Sequence, residues 1–269
     1  MDRILRIQGM PRATFYYNLP QKADKWSKER KKVVQIFHRH HGRYGYRRIT
    51  QEMHNEGYNI NHKTVRKLMK EAGIACMVRM KKYRSYKGEV GNVAPNLLNR
   101  DFKTDMPLMK LVTDVTEFSL FGQKIYLSPV LDLYNGEILC YTVHDRPVLT
   151  MVTEMIEKLV HKTGKCEGTM LHSDQGWQYQ HKQYQKMLQD NGFEQSMSRK
   201  GNCLDNSVME NFFGLLKSEL LYLQEFKSVE HFKKALHAYI KYYNNDRIKS
   251  RLGGLSPVEY RKKNENIYT

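Results

Sequence analysis

The chain has 269 residues, enough to bury a substantial core and, at the usual domain size, to form two domains. Its 40% apolar content argues for a folded protein, and 45 Lys and Arg against 28 Asp and Glu leave a formal charge of +17. A surplus of that size favours a polyanionic partner, because Lys and Arg that neutralise phosphates release condensed counterions; no apolar run approaches the roughly 20 residues with which a helix spans a bilayer, so no spanning helix is expected.

Residues 1–27 form an N-terminal segment. Its start, MDRILRIQGMPRATFYYNLP, has neither an uninterrupted apolar run nor a small-residue cleavage site, so no signal peptide and a cytoplasmic location are expected. Residues 28–76 carry apolar positions at helical intervals. Val33, Val34, Ile36 and Phe37 fit one amphipathic helix, and Ile49 and Met53 fit a second. After the turn-like Glu56-Gly57-Tyr58-Asn59, Asn61 can cap a third helix with Val65, Leu68 and Met69 on one side and Gly73 as its stop. This is a small all-α, helix-turn-helix pattern. Its third helix exposes Lys63, Arg66, Lys67 and Lys70, as a helix lying in a major groove does, and as a solvated basic face also does.

Residues 77–104 read as a basic linker. Lys81, Lys82 and Arg84 are placed to follow a phosphate backbone, with tyrosines among them for stacking. From Lys110 the period changes. Leu111 to Phe118 alternates, Gly122-Gln123 turns the chain, Ile125 to Leu133 is apolar and β-rich, Asn135-Gly136 signals a hairpin, and Ile138 to Val143 makes a third strand. A helix from about Leu149 to His161 follows, with Met151, Met155, Ile156 and Leu159 on one side. A short strand, Thr169 to His172, then ends in Ser173-Asp174-Gln175-Gly176. Strands first, then helices and strands in alternation, indicate an α/β fold with a mixed sheet flanked by helices. Cys76, Cys140, Cys166 and Cys203 are scattered singly, without zinc or redox spacing.

Three carboxylates stand out. Asp114 sits in the middle of the first strand, flanked by Val112 and Val115, and Asp174 follows an apolar run at the carboxyl end of a parallel strand, where open α/β sheets gather functional residues. Glu210 lies on a helix from about Leu204 to Leu223, whose packing face is Val208, Met209, Phe212, Leu215, Leu216 and Leu220. Asn206, Glu210, Phe213 or Gly214, and Lys217 fall on another face. Asp205-Asn206 is expected to cap this helix. Three such acids brought together repel unless a metal sits between them. A pair of hard divalent cations suits oxygen ligands and the chemistry of a phosphodiester.

The strings LVTDVTEF around Asp114, LHSDQGWQY around Asp174 and SRKGNCLDNSVMENFFGLLKSE through Glu210 resemble the three signature blocks of the retroviral-integrase-like transposase core. Thirty-five residues lie between Asp174 and Glu210, the family's spacing. The tail YYNNDRIKSRLGGLSPVEYR resembles its closing block, and HHGRYGYRRITQEM with INHKTVRKLMKEAGI its upstream helix-turn-helix. The nearest resemblance is to second-reading-frame products of the third numbered family of bacterial insertion sequences, made as a fusion to an upstream frame. The opening residues resemble the region where such a frame begins.

The resemblance implies a ribonuclease-H-like, five-stranded mixed sheet over residues 105–269, ending in a helical tail. It also implies Asp114, Asp174 and Glu210 as catalytic metal ligands for Mg²⁺ or Mn²⁺, two ions per site, and 3′-end cleavage and strand transfer. Implied partners are element and target DNA, further copies of the chain and the upstream-frame product. Arg199 and Lys200, in the loop before the Glu210 helix, and Lys217 beyond it are expected to touch DNA. Two departures are visible: Leu111 stands where many relatives have Trp, and the His38, His40, His41 cluster lacks the paired cysteines of the retroviral zinc module, so no zinc is expected. Two readings stay open beside a transposase: a non-catalytic DNA-binding protein, and a nuclease of this fold that hydrolyses without joining.

Overall fold

The structure, a computed structural model, describes residues 5, 7–9, 11–18, 25–78, 93–199 and 202–265. Lys81, Lys82, Arg84 and Lys200, expected to contact DNA, lie outside the described residues. The chain divides into two compact units, Met1–Cys76 and Met77–Thr269.

The first unit is helical: α1 (Arg12–Asn18), α2 (Ser27–Arg39), α3 (Tyr46–Asn55) and α4 (His62–Glu71). The last three bury the faces their periodicity marks, Val33, Ile36 and Phe37 from α2, Ile49 and Met53 from α3, and Val65, Leu68 and Met69 from α4. Asn61 caps α4 by accepting the Lys63 N–H at 2.8 Å. Gly73 follows α4 at φ 67°, a left-handed conformation that glycine adopts without a Cβ penalty. Ion pairs add Arg39 to Glu56 at 2.8 Å and Arg30 to Glu71 at 2.8 Å. Their side chains are partly exposed, so each is worth at most about 1 kcal/mol and packing does most of the holding.

In the second unit β1 (Lys110–Thr113), β2 (Thr116–Leu120), β3 (Gln123–Asp132), β4 (Ile138–His144), β5 (Thr169–Ser173) and β6 (Phe193–Met197) form one mixed sheet. Its order is β4, β3, then β1 and β2, then β5 and β6. β1 and β2 both run antiparallel to β3, while β5 is parallel to β1 and β6 to β5. Six strands replace the expected five because the first is interrupted. Thr113 pairs with Val130 and Thr116 with Leu127 in one unbroken register, and pairing lapses only at Asp114 and Val115, opposite Pro129 and Ser128. Pro129 has no N–H to give a ladder, so the gap is written into β3.

Helices cover both faces. α5 (Leu149–Thr163), α6 (Trp177–Gln180) and α7 (Lys182–Asp190) lie on one side, where Met151, Met155, Ile156 and Leu159 meet Leu111, Val130 and Leu171. α8 (Ser207–Leu216) and α9 (Val229–Asn245) lie on the other, where Phe212, Phe213, Leu216, Leu236 and Tyr239 meet Val112, Phe118, Ile125 and Leu127. Leu111 and Val112 thus serve opposite faces, as the two-residue strand period requires. Leu98, inside the stretch read as linker, is buried in this second layer. The helix expected over 204–223 is three pieces: a 3₁₀ turn at Cys203–Asn206, α8, and a π turn at Lys217–Leu221. Phe213, expected on the outward face, is fully buried, because α8 is covered by α9 as well as by the sheet.

The closing block docks on the hairpin turn. Asn135 Nδ2 donates to the Pro257 carbonyl at 3.0 Å, Lys249 Nζ donates to the Gly136 carbonyl at 3.0 Å, and Arg261 on α10 (Pro257–Glu265) pairs with Glu137 at 2.8 Å. Among the described residues no helix is long and apolar enough to cross a membrane.

Candidate active site

The parallel register that pairs Lys110 with Met170 and Val112 with His172, carried two residues further, sets Asp114 beside Asp174. Both aspartates therefore leave neighbouring strands at the same end of the sheet. Each is partly buried and turned back on its own backbone: Asp114 Oδ1 accepts the Val115 N–H at 2.7 Å and Asp174 Oδ1 accepts the Gly176 N–H at 2.9 Å. Glycine at 176 permits that turn, since a Cβ there would stand 3.0 Å from Asp174 Oδ1.

Glu210 sits in the first turn of α8. The expected capping by Asp205-Asn206 does not occur. Asn206 occupies the cap position without a capping bond, and its Nδ2 instead donates to the Thr113 carbonyl at 3.4 Å, joining the start of α8 to the residue before Asp114. The Asp205 carboxylate is fully committed elsewhere. It accepts from Asn96 Nδ2 at 2.8 Å, Arg100 Nε at 2.9 Å, and Arg199 Nε and Nη2 at 3.0 and 2.9 Å.

The electrostatics bind these groups together. Burial, then the charge of Asp174, pushes the Asp114 carboxyl well above the usual carboxylate range; Glu210 adds to the rise, while the Val115 N–H and Lys217 oppose it. Burial also raises Asp174, against the bond from Gly176, and raises Glu210. Lys217 is half-buried, with Nζ 5.7 Å from the centre of the Phe118 ring; burial lowers its pKa, and the charges of Glu117 and Asp114 resist. Among the described residues no three His, Cys, Asp or Glu side chains converge as a ready-made metal cage. Asp174 acts on Asp114 more strongly than Glu210 does.

The donor set fits a hard divalent cation. It consists of carboxylate oxygens in mutual repulsion with the Lys217 ammonium acting on Asp114, and neighbouring segments carry buried oxygens without partners. Thr116 Oγ1 and Asn206 Oδ1 have no hydrogen bond, and the Tyr179 hydroxyl lies by Thr113, whose own hydroxyl donates to the Pro129 carbonyl, without completing one. Such orphaned oxygens at a carboxylate pair can bond the waters that a small cation keeps. Tyr179, Glu117 and Arg100 are not singled out by the sequence pattern. Tyr179 had a signal in its place five residues past Asp174, whereas Arg100 lies 105 residues from Asp205 and had none.

Arg199, expected to touch DNA, is about half-exposed and held on Asp205. Its bonds and those of Arg100 keep the buried Asp205 carboxyl far below its usual range. The sign follows: a carboxyl depressed on folding stabilises above its unfolded pKa and loses that contribution as pH falls. We expect Asp205→Asn to cost about 2–3 kcal/mol at neutral pH, and the gap from wild type to narrow below about pH 4. Urea unfolding across pH checks both, and a gap that widens in acid contradicts the assignment.

In the first unit Arg66 lies 5.9 Å from the centre of the Tyr46 ring and Lys67 pairs with Glu71 at 3.7 Å. The Lys63 side chain is exposed. A shallow concavity beside α4 is lined by Tyr46, Arg47, Thr50, Gln51, His54 and His62.

The family description "Integrase core domain" matches residues 104–203 and again 210–264, and "HTH-like domain" matches residues 25–83. The chain is 51% identical to the putative transposase InsK of insertion sequence element IS150 from Escherichia coli, over 97% of this chain and 93% of that one. It is 49% identical to a transposase-like protein of Haemophilus influenzae, over 78% and 97%. The transposase InsF of IS3A from E. coli is 31% identical, over 86% and 81%. Among solved structures, the HTLV-2 integrase catalytic core in complex with magnesium aligns with 59% of this chain and 99% of its own, at 16% identity and a TM-score of 0.48. By its identity along nearly the whole length of such relatives, the chain belongs to the integrase-core transposases of bacterial insertion sequences, the family of IS150 and IS3.

Proposed function

We propose that Asp114, Asp174 and Glu210 are the catalytic carboxylates with which this transposase cleaves the 3′ ends of its element and joins them to target DNA. The observation that carries this reading is that Asp114 and Asp174 each directly follow the end of one of two adjacent parallel strands, with Glu210 acting electrostatically on Asp114. The three would hold Mg²⁺ or Mn²⁺, two ions per site. When bound, such ions supply a polarised nucleophile and stabilise the leaving oxygen of a phosphodiester. The protein's own part is to present the carboxylates on two strand ends and one helix, and to keep them fixed through the Val115, Gly176 and Asn206 bonds. Lys217 offers its ammonium to a phosphate, and Arg199 and Lys200 are assigned to the DNA backbone. Water is the nucleophile in cleavage and the freed DNA 3′-hydroxyl in joining.

Incubation with a pre-cut element end and a target plasmid tests this. Joined products are expected; cleavage alone would favour the purely hydrolytic reading, and DNA binding with neither product the non-catalytic one. Residues 28–76 form the DNA-binding domain in this reading, 77–104 a basic linker and 105–269 the catalytic core, with 1–27 preceding them. The protein acts in the cytoplasm as a multimer that holds two element ends, alone or with its upstream-frame partner.

Lys63, Arg66 and Lys67 are assigned unequal tasks on α4. Arg66 is steadied by Tyr46, and its planar fork can pair with guanine in two places. Arg66→Ala should weaken binding to the element's own end by about 1–3 kcal/mol and to random DNA little. Lys63→Ala and Lys67→Ala should weaken binding to every sequence and reduce the salt slope by about one unit each. Titration of an element end and a scrambled duplex at several salt concentrations separates these outcomes. Unchanged binding in all three variants removes α4 as the recognition helix.

A further inference from the structure

Trp177 is 55% exposed, although a large indole is usually covered in a folded domain. Its position is unusual too. It opens α6, three residues past Asp174, at the end of the sheet where the two aspartates emerge. Two residues further on, Tyr179 is buried completely, so the short helix is anchored by one ring and holds the other out.

The segment is not loose. Asp174 Oδ1 takes the Gly176 N–H at 2.9 Å, Gln175 Nε2 donates to the Ser198 carbonyl at 2.9 Å, and Gln195 Nε2 donates to the Tyr179 carbonyl at 2.8 Å. These bonds pin the turn on both sides of Trp177 to β6 and the residue after it. The indole is therefore presented from a backbone whose position relative to Asp174 is already fixed, and a partner that uses it loses little chain entropy. A second bare apolar side chain, Leu204 at 56% exposure, sits on the turn that leads into α8 and Glu210. The two segments that deliver Asp174 and Glu210 each expose one large apolar group.

We propose that Trp177 is a stacking platform for an unpaired base at the DNA end held in the active site. The proposal rests on the DNA-processing reading of Asp114, Asp174 and Glu210 and names a contact that reading does not contain. The net charge of +17 favours a polyanion as the occupant. A flat apolar ring beside the reacting phosphodiester matches the face of a base rather than its phosphate. Bases at a frayed end are already unstacked, so seating one on the indole costs little unpairing.

The chain has two tryptophans, so Trp26→Phe leaves Trp177 as the sole indole reporter in the full-length protein. Without divalent metal, this variant is titrated with a duplex oligonucleotide bearing a short unpaired end and with the same duplex blunt, binding being followed separately by anisotropy of a DNA label. The expected result is stronger quenching of indole emission by the unpaired end. Trp177→Ala in the wild-type background should weaken binding of that end roughly 5- to 150-fold, the range for one lost base–aromatic stack. Trp177→Phe should retain most of the binding, and the blunt duplex should barely distinguish the three. DNA binding with unchanged indole emission overturns the stacking role and leaves the carboxylate reading standing. An emission change that follows protein concentration without DNA overturns it in favour of a contact between copies. Failure to bind any DNA overturns this proposal and the reading beneath it together.

Discussion

Asp114→Asn, Asp174→Asn and Glu210→Gln should each lower Mg²⁺-dependent cleavage and joining by at least about a thousandfold while leaving DNA affinity largely intact. The amide keeps the shape of each side chain and removes the charge, so the loss isolates the charge's role. A second measurement needs no turnover. The folded state raises Asp114 by burial and by repulsion from Asp174, so without metal its charge opposes folding. A carboxyl raised on folding contributes stability at low pH and loses it as pH rises through the folded pKa. Metal-free Asp114→Asn should therefore melt higher than wild type at neutral pH, and the difference should shrink in acid. Mg²⁺ should reverse the order. A cation bound only by the folded state adds about 2.7 kcal/mol at a hundred times its Kd, and the Asn variant should lose most of that response. Near wild-type joining by any one variant removes that residue from the triad. Equal Mg²⁺ stabilisation of wild type and Asp114→Asn removes Asp114 from the metal site.

The sequence was most informative where structure is local. Helices α2, α3 and α4 follow from apolar spacing and from the Asn61 cap, because three turns of helix bury one face whatever their partners are. Asp174 was legible for a similar reason, as a polar break directly after an apolar strand. The break at Asp114 was not, since it depends on Pro129 across the sheet, a pairing that no short window contains. β6 and α7 also went unplaced. Phe193-Glu194-Gln195-Ser196-Met197 has polar residues at its centre, and the buried Ser196 hydroxyl is satisfied by distant groups, His172 at 2.8 Å and the Leu97 and Leu98 N–H groups at 3.0 and 3.2 Å. Asp205 misled in the opposite way: an Asp-Asn pair before a helix is a strong capping signal, but distant Arg100 and nearby Arg199 outbid the α8 amides for its carboxylate. Charge-assisted bonds of this kind are roughly twice as strong as neutral ones, so the local rule gives way when arginines arrive.

The largest stability effect should come from a buried pair that is not part of the carboxylate cluster, Arg247 with Glu219. Both are almost wholly buried, and the contact is bidentate: Nε to Oε2 at 2.8 Å and Nη2 to Oε1 at 2.7 Å, with the Tyr239 hydroxyl donating to Oε2 at 3.0 Å. Glu219 lies in the π turn that begins at Lys217, and Arg247 follows α9, so the pair ties the far end of the Glu210 helix to the closing block. Removing one partner strands the other charge in the core. Arg247→Met or Glu219→Leu should each lower the unfolding free energy by about 3–5 kcal/mol. The joint change Glu219→Leu with Arg247→Met removes both charges and should recover much of the loss, because well-packed apolar groups replace buried ion pairs at little cost. Urea unfolding of the four proteins measures the coupling directly. Single variants within about 1 kcal/mol of wild type would mean that the charges reach water, as exposed pairs do, and do not hold the tail. If the coupling is as large as the burial implies, the single variants should also lose joining activity, since the same turn positions Lys217. The double variant should regain stability and joining together if its repacking restores that turn.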